Sequence, residues 1–162
     1  HDSYEAFSMA DKCGIILDQE LKQYDVPYNV HHEPNSLEVA KFLNKGVFVN
    51  VKVVDSECAV HCLKHKELGE IKGKLLNKFP TGSNVKLLLQ PEDLIHDDGS
   101  KLKLEVIDRK FRGTNFIYTL ATKSGEYLPV FVHSHHIHQH EESEKFGLKT
   151  PIFIDHLVCF KS

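Results

Sequence analysis

Residues 102–133 read LKLEVIDRKFRGTNFIYTLATKSGEYLPVFVH, and this stretch decides the fold class. Leu102, Leu104 and Val106 alternate with polar residues, which is the period-two pattern of a strand with one buried face. The apolar phase then shifts by one position, which predicts a β-bulge near Asp108. Ser124-Gly125 is turn chemistry between two further apolar runs. The stretch therefore predicts three short strands, at 102–111, 116–122 and 127–133.

The same pattern extends over the chain from about residue 45 onward. Further strands are predicted at 47–54, 58–63, 85–89 and 152–160, with turns at 80–83 and 97–100. Many short strands separated by turns favour a closed or nearly closed β structure, because closure removes exposed sheet edges. We therefore expect a mainly β fold, an OB-like barrel or sandwich of short antiparallel strands.

Residues 1–44 differ in character from the rest of the chain. Asp2, with Glu5 three positions later, predicts a capped helix over 2–12. A strand at 14–17, a turn at 18–20 and a return strand at 21–23 follow, and Pro27 opens a second helix. Asn35 or Ser36 is expected to cap a third helix. The predicted division is thus a short α/β segment, 1–44, followed by a β domain, 45–162.

Composition excludes several classes of protein. The net charge of -3 and the mixed charge signs leave no basic stripe for nucleic acid. The sequence has neither a run of about 20 apolar residues nor a signal peptide, so a soluble intracellular protein is expected. Because the chain starts at histidine, we expect the natural chain to continue upstream.

The four cysteines are expected to be reduced thiols, since a chain of this length does not need a disulfide framework. Cys58 and Cys62 lie near His61 and His65, but their spacing matches no usual structural zinc site.

The first 43 residues carry an ordered set of motifs. In order they are His1-Asp2, Glu5-Ala6, Ala10-Asp11-Lys12, Gln23, Pro27-Tyr28, Pro34-Asn35, Val39-Ala40 and Phe42-Leu43. This order and spacing resemble ABC-transporter ATPases from the switch histidine to the end of the ATPase domain. Later in the chain, the strand at 85–89 with Pro91-Glu92-Asp93, then Phe111-Arg112-Gly113 and a strand ending near Tyr118, resemble the TOBE regulatory domain of that family. The chain departs from the family pattern at Gln19, Asp25 and Gln90, where the first two positions are usually glycine and the third arginine.

The resemblance implies a role for His1 as the switch histidine, which reaches the terminal phosphate of ATP and helps to hold the attacking water. The phosphate-binding GxxxxGK[ST] loop does not occur in the sequence, so ATP and Mg²⁺ are expected only in the intact parent protein. The fragment by itself is expected to bind no cofactor and to hydrolyse no ATP. The resemblance further implies a homodimer, membrane permease subunits as partners, and a cytoplasmic location at the inner face of the cell membrane.

A histidine-rich segment, His133-Ser-His-His-Ile-His-Gln-His140, is the most unusual composition in the chain. On an extended backbone His136, His138 and His140 project to one side, and three neutral imidazoles are suitable ligands for zinc or nickel. The alternative is a solvated loop, and similar segments occur in the subgroup that resembles iron-importing ATPases. Clustered imidazoles also predict pH sensitivity near or below their reference pKa of about 6.5.

Two functions from different classes remain open on the sequence. The first is a regulatory and dimerisation domain of an ABC importer ATPase that powers solute uptake, with iron suggested by the histidine-rich segment. The second is a stand-alone metal-binding sensor that uses this segment as its site.

Overall fold

The computed structural model describes residues 2–43, 46–55, 60–135 and 139–162. It is 49% strand and 13% helix. The chain divides into two compact units, His1–Lys45 and Gly46–Ser162. Whether the first unit is the last part of an ATPase domain stays a prediction.

The first unit is a hairpin with three short helices. Its elements are α1 (Ser3–Met9), β1 (Cys13–Leu17), β2 (Glu20–Asp25), α2 (Pro27–His32) and α3 (Leu37–Leu43). The Asp2 carboxylate accepts the N–H groups of Tyr4 and Glu5, and the Ser36 hydroxyl accepts the N–H of Val39. Both predicted caps are therefore confirmed, with Ser36 in preference to Asn35. A small core joins the elements: Cys13, Ile15, Val30 and Val39.

The turn between β1 and β2 contains two residues with left-handed backbone conformation. Asp18 has φ 50° and Gln19 has φ 64°. Such two-residue turns match the twist of the flanking strands, and glycine or asparagine normally fills them. Gln19 therefore adopts a conformation that costs a side-chain-bearing residue about 1 kcal/mol. The predicted turn at 18–20 is correct in place, although Glu20 already belongs to the strand.

A six-stranded sheet forms one half of the second unit. Its strands are β3 (Val47–Asp55), β4 (His61–His65), β5 (Gly69–Leu75), β6 (Asn84–Leu89), β11 (Ile152–Leu157) and β12 (Cys159–Lys161). They lie in the order β11-β5-β4-β3-β6-β12. All neighbours are antiparallel except β11, which runs parallel to β5. The single strand predicted at 152–160 is wrong, because Val158 separates β11 from β12 and these two strands lie at opposite edges of the sheet.

The parallel pairing explains why β5 was not predicted from sequence. A Cβ atom at Gly73 would lie 1.8 Å from the carbonyl oxygen of Ile154 in β11. Only glycine permits this approach, and a strand with glycines at both 69 and 73 has the composition of a turn.

A four-stranded sheet forms the other half, in the order β10-β7-β8-β9. Its strands are β7 (Lys103–Phe111), β8 (Asn115–Ala121), β9 (Tyr127–His133) and β10 (Lys145–Gly147). The register between β7 and β8 shifts between Val106 and Asp108, which confirms the predicted bulge. The strand β10 was not predicted, since its three residues are a strand only through pairing with β7.

The two curled sheets form half-barrels around one hydrophobic core. Both contribute fully buried side chains, among them Leu63, Ile71, Leu87, Tyr118 and Leu128. The prediction of a mainly β, OB-like fold of short strands is therefore confirmed. Among the helices of the described residues, none has the length and apolar character needed to cross a bilayer.

Candidate functional site

The predicted site residues fall in different parts of the structure. His1, His136 and His138 lie outside the described residues. His140 is described, and only 4% of its side chain is exposed. The histidine-rich segment leaves β9 at His133 through a turn at 134–135, and the projection of His136, His138 and His140 to one side stays a prediction.

The imidazole of His140 lies beside a second histidine and a carboxylate that are distant in sequence. Its Nε2 atom is 2.9 Å from Nε2 of His96 and 3.3 Å from Oδ1 of Asp98. The third side of this triangle, from His96 Nε2 to Asp98 Oδ1, is 2.9 Å. Within the described ranges, this is the one group of three or more histidine, cysteine or acidic side chains whose potential ligand atoms all lie within 4.8 Å of one another.

Burial differs among the three side chains. Those of His96 and His140 are 8% and 4% exposed, whereas that of Asp98 is 50% exposed. Phe146 packs against both imidazoles, with ring centroids 4.5 Å from His96 and 5.0 Å from His140. The cluster thus has an apolar floor and one open side at the carboxylate.

Contacts of the backbone fix His96 and His140 to neighbouring segments. His96 forms a bridge with Leu148, and the N–H of Asp97 donates to the carbonyl of Gly147 at 2.9 Å. A Cβ atom at Gly147 would lie 2.0 Å from the carbonyl oxygen of Asp97, so glycine is required for this approach. The backbone N–H of His140 donates to the hydroxyl of Tyr118 at 3.3 Å.

His96 also lines a cleft of about 660 Å³. Its polar lining includes His133 and His135, both from the histidine-rich segment, together with Glu92 and Asn115. Phe131 and Ile95 contribute apolar surface. The histidine-rich segment therefore contributes to two neighbouring features, the cleft and the His96-Asp98-His140 cluster.

A separate polar cluster joins the two sheets. His65 is buried, and its Nε2 lies 2.8 Å from the Glu126 carboxylate. Its Nδ1 accepts the backbone N–H groups of Glu67 and Leu68, so its Nε2 is the nitrogen that donates to the carboxylate. This arrangement occupies both ring nitrogens of His65 with hydrogen bonds.

Glu67, in the turn between β4 and β5, contacts the turn between β8 and β9. Its two carboxylate oxygens accept the N–H groups of Lys123 and Ser124, each at 2.8 Å. Burial alone would raise the pKa of Glu67, but these hydrogen bonds outweigh it and the pKa is lowered.

Burial makes two of the described cysteine thiols less acidic. Cys13, Cys62 and Cys159 are free thiols, which confirms the expected reduced state for these three, while Cys58 lies outside the described residues. Burial raises the pKa of the Cys159 thiol to about 12. Burial is also the main cause that raises the pKa of Cys62. Both thiols are therefore protonated and unreactive at neutral pH.

Sequence reasoning did not find His96 and Asp98 as partners of His140. The two histidines are 44 positions apart in sequence, which hides their proximity, and residues 97–100 were interpreted only as a turn. The available signal was a histidine directly before Asp97-Asp98-Gly99, which is the one Asp-Asp-Gly run in the sequence.

Comparison with known proteins finds similarity to ATP-binding proteins of importers. No protein-family model matches the chain. The spermidine/putrescine import ATP-binding protein PotA of Mycoplasmopsis synoviae (strain 53) is 26% identical over 134 residues, which is 79% of this chain and 28% of the relative. The Fe(3+) ions import ATP-binding protein FbpC 2 of Pectobacterium atrosepticum is 26% identical over 126 residues, which is 76% of this chain and 34% of the relative.

The Fe(3+) ions import ATP-binding protein FbpC of Haemophilus influenzae (strain 86-028NP) has a higher identity over a shorter range. It is 34% identical over 92 residues, covering 57% of this chain and 24% of that protein. The chain thus spans about a quarter to a third of the length of these relatives. The resemblance predicted from the motifs is confirmed, and the chain is homologous to part of the ATP-binding proteins of ABC importers.

Proposed function

We propose that this chain is the regulatory and dimerisation portion at the C-terminal end of an ABC importer ATP-binding subunit. In this proposal residues 1–44 are the last segment of the ATPase domain and residues 45–162 are a TOBE-like regulatory domain. The observation that carries the proposal is the match to importer ATP-binding proteins over 79% of this chain but only 28% of the relative. The OB-like half-barrels of the second unit agree with it.

His1 is the proposed link to ATP hydrolysis. In the intact parent, the histidine orients the attacking water and stabilises the charge that develops on the terminal phosphate. Phosphoryl transfer depends on such positioning and charge stabilisation more than on covalent chemistry by the protein. The remaining groups, which bind ATP and Mg²⁺, belong to the part of the parent that precedes this segment.

The first unit has exposed apolar side chains, which support the proposal that another part of the parent protein normally packs against it. Met9 is 87% exposed, Ile16 66% and Leu21 61%, and the β1-β2 hairpin is a sheet of only two strands. Unpaired strand edges and clustered apolar side chains are usually covered by other structure. We propose that the rest of the ATPase domain covers this surface in the parent, and that isolated chains pair with each other as homodimers.

The partners and the solute follow from the same assignment. The parent associates with membrane permease subunits at the cytoplasmic face of the cell membrane. The relatives are named for uptake of spermidine and putrescine or of Fe(3+). Of these solutes we favour iron, because of the histidine-rich segment.

A chimera tests the proposal. The matched part of the Haemophilus influenzae Fe(3+) import protein is replaced by this chain, and the product is assembled with that transporter's own permease. We expect a dimer with ATP hydrolysis, and we expect His1→Ala to lower kcat by about 10²- to 10³-fold, as expected for loss of one charge-stabilising group, with ATP binding retained. His31→Ala in the same unit is the control and should change kcat by less than about twofold, because its ring packs within the first unit, against Phe7 and His32. A chimera that binds ATP and hydrolyses it equally well with and without His1 contradicts the assignment.

A stand-alone metal-binding sensor is the second candidate. The observation that favours it is the approach of His96 and Asp98 to His140. Tight metal binding by a chain that stays monomeric, together with a chimera that does not assemble, would favour the sensor over the importer subunit.

A further inference from the structure

Three potential ligand atoms converge on one point at the end of the four-stranded sheet. They are Nε2 of His96, Nε2 of His140 and Oδ1 of Asp98, separated by 2.9, 2.9 and 3.3 Å. A tetrahedral metal ion with ligands at about 2.0 to 2.1 Å holds its donor atoms about 3.3 to 3.4 Å apart. The three atoms therefore need to separate by only a few tenths of an ångström to enclose an ion.

Hydrogen bonding alone does not account for all three contacts. Each Nε2 atom carries at most one proton, and it either donates or accepts but not both. If both His96 and His140 donate to Asp98, their two N–H groups face each other across 2.9 Å. If only one of them is protonated, the other cannot donate to the carboxylate. With Asp98 ionised, no protonation state of the two rings satisfies the three pairs together, whereas a cation among them accepts a lone pair from every atom.

The surroundings hold the ligands in place before any ion binds. His96 is fixed by its bridge to Leu148, and the carbonyl of His140 accepts a hydrogen bond from Arg109 at 3.2 Å. Phe146 packs against both rings. Ordered ligands lose little conformational entropy on binding, which favours affinity.

The second nitrogen of His140 faces a carboxylate. Nδ1 lies 3.6 Å from Oε2 of Glu144, and the same oxygen is fixed by the backbone N–H of Glu141 at 3.0 Å. Metal-binding histidines commonly have an outer carboxylate at the nitrogen that does not bind the ion, because it orients the ring and raises its basicity. Glu144 is in the correct place for this role.

We propose that His96, Asp98 and His140 form a site for a divalent first-row transition metal ion of the zinc type. Two imidazoles and one carboxylate suit zinc, cobalt or nickel, whereas Mg²⁺ and Ca²⁺ prefer oxygen ligands alone. The half-exposed Asp98 side leaves a fourth position for water or a further ligand. This site differs from the linear set His136, His138 and His140, and it does not depend on the importer assignment.

The ion would join two segments that lie far apart in sequence. It connects the turn at 96–98 with the segment at 140–144, which borders β7 and β10. A ligand that binds only the folded state stabilises that state, so the unfolding temperature reports its binding.

The test uses the full chain after treatment with EDTA. Binding of Zn²⁺ from ZnCl₂ is measured by calorimetry, and binding of Co²⁺ from CoCl₂ is measured by visible absorption. We expect one ion per chain and Co²⁺ bands typical of nitrogen and oxygen ligands. At a Zn²⁺ concentration of about 100 times Kd, we expect the Tm of the chain to rise by about 5 to 10 °C.

Variants separate this site from other histidines. Asp98→Asn and His96→Gln should weaken Zn²⁺ binding by roughly 10- to 100-fold or more. Asp98 is half-exposed, so its variants are expected to fold, and Asp98→His should restore binding by supplying a third imidazole. The control, His136→Gln with His138→Gln, removes two histidines of the linear set and should keep Kd within about threefold.

Two results overturn the proposal. One is the absence of stoichiometric Zn²⁺ and Co²⁺ binding by the folded chain. The other is binding that survives Asp98→Asn and His96→Gln but is lost in the double variant at 136 and 138.

Discussion

Replacing Glu67 with glutamine should weaken the connection between the two sheets. The carboxylate accepts two backbone N–H groups at 2.8 Å, one on each oxygen, from Lys123 and Ser124. Glutamine keeps one acceptor and points an NH₂ group at the other donor. A hydrogen bond to a charged group contributes about 1.5 to 3 kcal/mol, and less where water screens it, so we expect Glu67→Gln to lower the free energy of unfolding by about 2 kcal/mol at pH 7.

The effect of Glu67 should depend on pH in a defined direction. Its folded-state pKa is lowered, mainly because the hydrogen bonds from Lys123 and Ser124 outweigh the opposite effect of burial. A group with a lowered folded-state pKa stabilises the fold fully above its unfolded pKa of about 4.3, and this contribution is lost as the pH falls through the folded-state value. The difference between the native chain and Glu67→Gln should therefore shrink in acid.

Urea unfolding followed by far-ultraviolet circular dichroism measures this effect at pH 7 and at pH 3. Glu70→Gln is the matched control. Glu70 lies in the neighbouring strand and makes only a 3.3 Å ion pair with Lys72, with 57% of its side chain exposed. We expect the control to change stability by less than about 0.5 kcal/mol. The reasoning is refuted if both variants change stability equally, or if the loss at Glu67 is as large at pH 3 as at pH 7.

Three further predictions concern the backbone and a buried thiol. Gln19→Gly should stabilise the β1-β2 hairpin by about 1 kcal/mol, since Gln19 has positive φ, and slower amide exchange in the hairpin checks this. Gly73→Ala should destabilise the second unit by about 3 kcal/mol in urea unfolding because the new methyl meets Ile154, whereas Gly69→Ala, in open space at positive φ, should cost about 1 kcal/mol. The Cys159 thiol should react with a thiol reagent only after unfolding, because burial raises its pKa to about 12; rapid reaction in the native state would contradict this.

The sequence predicted the parts of the fold that local patterns determine. The alternation that begins at Leu102 identified β7 and its bulge, and Asp2 and Ser36 identified two helix starts. These signals depend only on side-chain period and on capping chemistry, which neighbouring residues carry.

The missing parts of the fold depend on contacts between distant segments. No strand was predicted for β5, and its Gly73 is needed because β11 approaches it from residues more than 70 positions later. Periodicity does not reveal whether a strand pairs in a parallel or antiparallel manner, so the division of 152–160 into β11 and β12 was out of reach.

The candidate site was predicted in part. His140 was identified because its segment contains many histidines. The number of histidines in a segment does not show which distant side chains lie beside them in the fold. His96 and Asp98 lie beside His140 because the backbone around the turn at 96–98 pairs with residues 147–149. This close approach requires glycine at position 147. This pairing is a property of the folded chain and leaves no periodic trace in the sequence.

The most direct test of the importer assignment is to determine the coding sequence immediately upstream of His1. The account predicts an open reading frame that continues upstream and encodes a GxxxxGK[ST] phosphate-binding loop ahead of the switch histidine. A natural start codon at or just before His1, with no such loop in the same reading frame, would contradict it.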